Sequence, residues 1–116
     1  MDFHHFPGYP PALKLAAGCS KAADMFPRTE QFALAQQLRR AAYSVVLNIP
    51  EAFCRIGTPS LRHYLNVSYT SANEVAVILE LARQLGYIEQ NLFDELMTLQ
   101  KEVARRLLAF LKSLRG

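Results

Sequence analysis

Apolar residues recur at steps of three and four in four separate stretches of this chain, the spacing of one face of an α-helix. The first stretch starts around Pro10-Pro11, where proline suits an opening turn, and passes through Leu13, Ala16, Ala17, Ser20 and Ala23 toward Met25. Its inner stripe is built of small residues, which lets a neighbouring helix approach closely. Phe26-Pro27 ends it, and Thr29 is placed to cap a second helix carrying Leu34, Leu38, Ala41 or Ala42, Val45, Ile49 and Phe53 as far as about Cys54. Inside that helix Pro50 removes one backbone hydrogen bond and presses on the Val46 carbonyl, so a kink is expected between Val46 and Pro50.

Gly57 and Thr58-Pro59 form the next break, with Thr58 the expected N-cap and Pro59 the first helical residue. The third series is Leu61, Leu65, Ser68, Ala72, Val75, Leu79 and Ala82, and Tyr64, Ser71, Ile78 and Leu85 recur every seventh residue beside it. Gly86 suits a left-handed C-terminal cap. After Tyr87-Ile88 the last helix carries Leu92, Leu96, Leu99, Val103, Leu107, Phe110 and Leu114, broadened by Met97, Ala104, Leu108 and Leu111. Short connections between long amphipathic helices predict an all-α, antiparallel up-down-up-down four-helix bundle. It would span residues 1–116 as one domain, with residues 1–8 as an N-terminal arm. The breadth of the apolar faces fits either one fat core or a surface shared between subunits.

Composition narrows the function classes. The 116 residues are 51% hydrophobic and 20% charged, which suits a single core. The chain has no uncharged apolar run of about 18 residues, and MDFHHFPGYPP lacks the basic-then-apolar pattern of a secretion signal; a cytoplasmic protein with no membrane partner is expected. Cys19 and Cys54 define neither a disulfide framework nor a zinc site. The residues three before His4, His5 and His63 are never Glu, so the Glu-x-x-His pairs of a di-metal bundle are missing. With no phosphate loop, nucleophile elbow or Cys/His cluster, neither cofactor nor enzymatic activity is expected. His4 and His5 sit in an aromatic arm with Phe3, Phe6 and Tyr9, expected to pack on a bundle.

Two constellations carry candidate function. Ser44, Asn48 and Glu51 share one side of the second helix, and Ser71 and Glu74 one side of the third. If these faces meet, they form a hydrogen-bonded polar layer fixing helix register or subunit contacts, with Arg39 or Arg40 supplying a guanidinium; a ligand or ion site is the alternative. The other is basic. After residue 100, Lys101, Arg105, Arg106, Lys112 and Arg115 face the single acid Glu102, within a net charge of +3. Cations also favour a helix C-terminus, as Glu89, Asp94 and Glu95 favour its start, so both a dipole role and phosphate binding stay open. Arg39 and Arg40 are further candidates for phosphate contact.

The segment FPRTEQFALAQQLRRAAYSVVLNIPEAF, residues 26–53, holds Phe26, Pro27, Glu30, Phe32, Leu34, Gln37, Leu38, Arg39, Arg40, Ala41, Ala42, Ser44, Asn48, Ile49 and Glu51 in the order of one signature. Ser71 and Glu74, and LARQLGYI at 81–88, extend the match. The chain thereby resembles the bacterial four-helix-bundle proteins of 23S rRNA intervening sequences, over about residues 9 to 115. It departs from their pattern at Tyr9, Val46, Pro50, Ala52 and Thr70, where tryptophan, proline, alanine, glycine and glycine are usual. The resemblance implies a ring-shaped homo-oligomer, typically a pentamer, and RNA or DNA binding. A related branch, the accessory proteins of diversity-generating retroelements, implies a second possibility: a scaffold that partners a reverse transcriptase.

Overall fold

The computed structural model describes residues 1–55 and 57–114, the Thr58 side chain aside. Four helices follow one another: α1 (Tyr9–Asp24), α2 (Leu34–Cys54), α3 (Thr58–Gln84) and α4 (Gln90–Ser113). Short 3₁₀ turns at Phe3–His5 and Arg28–Glu30 precede α1 and α2. Each helix packs on its neighbours in sequence and α4 closes on α1, while α1 and α3, and α2 and α4, stand diagonally apart. Partner numbers run in opposite directions across each of these seams, as in Ser20 with Tyr43 against Asp24 with Arg39, so adjacent helices are antiparallel. At about 1.5 Å per residue a helix the length of α3 spans roughly 40 Å, which sets the long axis of a 45 × 24 × 20 Å molecule.

The seams follow from the apolar stripes. Leu15, Leu38, Val45, Ile49, Leu65, Val75, Leu79, Leu96, Val103 and Leu107 are buried along the bundle axis. The buried stripe of α1 is Ala12, Leu15, Ala16, Cys19, Ala22 and Ala23, rotated from the expected series, whose Leu13 and Ala17 are exposed. At one end of the bundle Phe6, Phe53 and Phe110 form a cluster with ring centroids 5.3 to 5.6 Å apart, so the N-terminal arm packs on its own bundle. Gly8 is required there, because a Cβ would stand 2.5 Å from the Phe6 ring.

Burial pushes the Cys19 thiol up to about 12, whereas Cys54 is exposed. A raised thiol value means that Cys19 favours the folded state fully below its ordinary value of 9.0 and loses that preference as pH climbs toward 12. A disulfide reagent at pH 8 should therefore label one thiol per native chain, Cys54, and two after denaturation. Rapid labelling of both in the native protein would contradict this packing.

Two boundaries differ from the sequence reading. Thr29 does not cap α2, which starts at Leu34, because residues 28–33 are engaged elsewhere. The Gln31 side-chain amide donates to the carbonyls of Ala23 and Phe26 at 3.0 and 2.9 Å, closing the end of α1. Glu30 accepts from the Tyr87 hydroxyl at 2.7 Å and from the Leu34 N–H at 3.4 Å, tying this turn to the α3–α4 connection. The second difference is at α3, which begins at Thr58 itself: Gly57, with φ of 101°, takes the capping position because that left-handed backbone favours glycine. α2 runs through Pro50 as far as Cys54, the end that its sequence suggests. Gly86, at φ 77°, terminates α3 as its sequence suggests, with the Tyr87 N–H reaching back to the Ala82 carbonyl at 2.9 Å.

Candidate polar layer and nucleic-acid interface

Because α2 and α3 are antiparallel, Ser44 and Ser71 meet, their hydroxyl oxygens 2.7 Å apart. The Asn48 amide donates to the Ser44 carbonyl at 2.8 Å and to its hydroxyl at 3.1 Å. Two further members were not expected in this layer from the sequence. The buried Ser68 hydroxyl donates to the Val45 carbonyl at 2.6 Å, and the buried Gln100 amide donates to the Ala72 carbonyl at 2.8 Å, bridging α4 to α3. Among the described residues, every buried side-chain nitrogen and oxygen has a partner. Gln100 was legible in principle: 96, 100, 103 and 107 step by four, three and four through Leu96, Val103 and Leu107, which sets position 100 on the inner stripe in place of Leu99.

The two carboxylates expected in this layer stand outside it. Glu51 is exposed and pairs with Arg55 at 3.0 Å, one turn along the same helix, and Glu74 is exposed on α3. Neither arginine enters the layer: Arg39 pairs with Asp24 across the α1–α2 seam, and Arg40 is exposed on the outer side of α2. The reason is geometric. A side chain one position off the inner stripe reaches solvent, where a charge keeps its hydration. What converges is a set of hydroxyls and amides without a titratable group, suited to fixing helix register and unsuited to moving protons. Among the described residues, no three His, Cys, Asp or Glu side chains converge as metal ligands.

The basic residues of α4 divide into two groups. Lys101, Arg105 and Lys112 are exposed, and Arg106 is half-buried near Gly8. Glu102 accepts from Arg105 at 2.6 Å and from Arg106 at 3.0 Å. Those two hydrogen bonds, Arg105 first, hold its carboxyl below the usual carboxylate range, so its negative charge persists to more acidic pH. Arg62, which the sequence reading passed over, donates to the Leu114 carbonyl at 2.9 Å. It joins Lys112, Asn66 and Tyr69 around a cleft of about 190 Å³ between α3 and α4. Arg39 and Arg40 lie on α2, diagonally across the bundle from α4, so they do not extend this surface. Arg115 lies outside the described residues.

These features define a class: a four-helix bundle with a fully bonded polar layer between its inner faces and a basic stripe on its last helix. Residues 8–109 match the family model of the 23S rRNA-intervening sequence protein, and the chain belongs to that family. The fold is shared with a crystal structure of a protein of unknown function from the S23 ribosomal protein family of Bacteroides thetaiotaomicron. That structure has a TM-score of 0.83 at 22% identity, over 90% of this chain and 95% of the other. No curated protein matches the chain. Among the described residues, no helix is long and apolar enough to cross a membrane.

Proposed function

We propose that this protein is a non-enzymatic homo-oligomer, a pentamer as its resemblance implies, that binds RNA or DNA through phosphates without reading bases. The observation that carries the binding half is the stripe of Lys101, Arg105 and Lys112 along α4, joined by Arg62 from α3. Within the stripe the one acid is Glu102, already shared by two arginines. A symmetric assembly repeats this stripe in every subunit and multiplies the field felt by a polyanion. Among the described residues the stripe is cationic, with no set of exposed aromatics beside it for stacking bases, so contacts position a backbone and discriminate little between sequences.

Titrating labelled single-stranded RNA and duplex DNA against the purified protein tests this reading. Binding is expected to fall steeply from about 50 to 300 mM salt, as counterion release requires. Binding that is absent, or that ignores salt, refutes it. Light scattering at tens of micromolar tests the assembly half separately, and a strict monomer refutes that half.

A further inference from the structure

Residues 57–73, where α3 begins, and residues 103–114, where α4 ends, contain no Asp or Glu. The two segments lie side by side, because the Arg62 guanidinium donates to the Leu114 carbonyl at 2.9 Å and the Gln100 amide to the Ala72 carbonyl at 2.8 Å. The positive end of the α3 dipole therefore offsets the negative end of α4 beside it. The field left at this corner of the bundle is that of its cationic side chains. Between the segments lies the cleft of about 190 Å³, with Arg62, Asn66 and Tyr69 on the α3 wall and Leu108, Leu111 and Lys112 on the α4 wall.

Every polar side chain on these walls can donate a hydrogen bond. Arg62 spends one of its N–H groups on Leu114 and keeps the others. Among the described residues, the side chains of Asn66, Tyr69 and Lys112 have no hydrogen-bond or ion-pair partner. The Tyr69 ring is half-buried and packs on the core, which holds its hydroxyl in place and leaves no free face for stacking a run of bases. Two cations, an amide and a hydroxyl, with no carboxylate among them, match an oxyanion. The cleft is smaller than the roughly 300–1,000 Å³ of sites that enclose a drug-sized ligand, so it suits one phosphate with little more than its sugar.

We infer that this cleft seats the terminal phosphate monoester of a nucleic-acid strand, so that the protein holds strand ends in preference to continuous backbone. The inference rests on the phosphate binding proposed above and names a distinct mode within it. An internal diester has a single charge and continues on both sides, so it can only lie across the mouth of the cleft. A terminal monoester has about −1.5 to −2 charges at pH 7 and three acceptor oxygens. It enters end-on, meets Arg62 and Lys112 together, and keeps an oxygen for Tyr69 or Asn66. Hydrogen bonds between ionised partners are about twice as strong as neutral ones, which favours a dianion where two cations converge. Lys101, Arg105 and Lys112 follow one another at steps of four and seven, on one face of α4, so the strand leaving the cleft runs on along the stripe.

Short single-stranded DNA oligonucleotides of one sequence, labelled internally and ending in a 5′-phosphate, a 3′-phosphate or hydroxyls alone, decide the matter by anisotropy at matched salt. The wild type should bind at least one phosphorylated strand about tenfold or more tightly than the hydroxyl strand, and whichever end shows that ratio is the end the cleft holds. Asn66→Ala with Tyr69→Phe removes two donors and no charge, and the ratio should fall severalfold while circular dichroism shows intact helices. Lys112→Gln should bring the ratio near one. Inorganic phosphate, balanced with chloride for ionic strength, should weaken the phosphorylated strand more than the hydroxyl strand. A wild-type ratio near one overturns the end site while the α4 stripe stands as a polyanion binder. A ratio that survives both variants puts the preference elsewhere and overturns the end site too. Failure to bind any of the strands removes both readings.

Discussion

Gln100→Glu should lower the stability of the bundle by about 3–5 kcal/mol at pH 7, the scale for a buried charge without a partner. Gln100 is 4% exposed, and its amide donates to the Ala72 carbonyl at 2.8 Å. An ionised carboxylate cannot donate. It would face that carbonyl oxygen as a second negative group, within a domain whose total stability is of the order of 5–15 kcal/mol. Desolvation raises the folded-state pKa of the new carboxyl above its unfolded value of about 4.3. The penalty is therefore nearly absent below that value and grows as pH rises through it. Urea unfolding of wild type and variant at pH 7 and pH 4 measures this directly. The gap between the two midpoints should shrink at pH 4, and an equal gap at both would rule out a buried charge as the cause. Gln100→Leu, similar in volume, should cost no more than about 1.5 kcal/mol, because the Ala72 carbonyl keeps the N–H four residues on in its own helix.

Reversing Lys101, Arg105 and Lys112 together to glutamate should weaken nucleic-acid binding by about 100-fold or more near 100 mM salt. It should also flatten the salt dependence by roughly three units of slope, one for each phosphate that is no longer neutralised. All three side chains are exposed, so the folded stability should change little, and anisotropy can be read without a folding defect. Glu102→Gln should act in the opposite sense, since it releases Arg105 and Arg106 from their shared carboxylate. Binding is expected to tighten severalfold at low salt. Equal affinity for wild type and triple reversal would leave α4 with only its dipole-matching role.

The helices were legible because their stripes are periodic and their breaks are chemically specific. Gly86 reads as a terminator in the sequence and serves as one, at φ 77°. The start of α2 was not legible, because Thr29 lost its capping role to an arrangement that depends on distant partners. Gln31 closes α1, and Glu30 answers Tyr87, 57 positions away. The polar layer divides in the same manner. Spacing alone puts Ser44 and Asn48 on one side of α2, and Ser71 meets Ser44 from α3. Glu51 and Glu74 lie at spacings just as suitable, yet a rotation of one position along the helix surface leaves them in solvent.

The sequence by itself determined four amphipathic helices, their order and their antiparallel connection, since hydrophobic period, proline and glycine act locally. It also determined the family, through a run of residues dense enough to be recognised without a structure. The tertiary structure alone decided which polar groups are sealed between helices, because burial depends on the rotation of each helix against its neighbour. That is why the two carboxylates stayed outside the layer, while Ser68 and Gln100, both on inner stripes, found carbonyl partners on facing helices. It also decided that Arg62 and Lys112 line one cleft between α3 and α4. Those relations connect residues on different helices, and no periodicity within one helix encodes them.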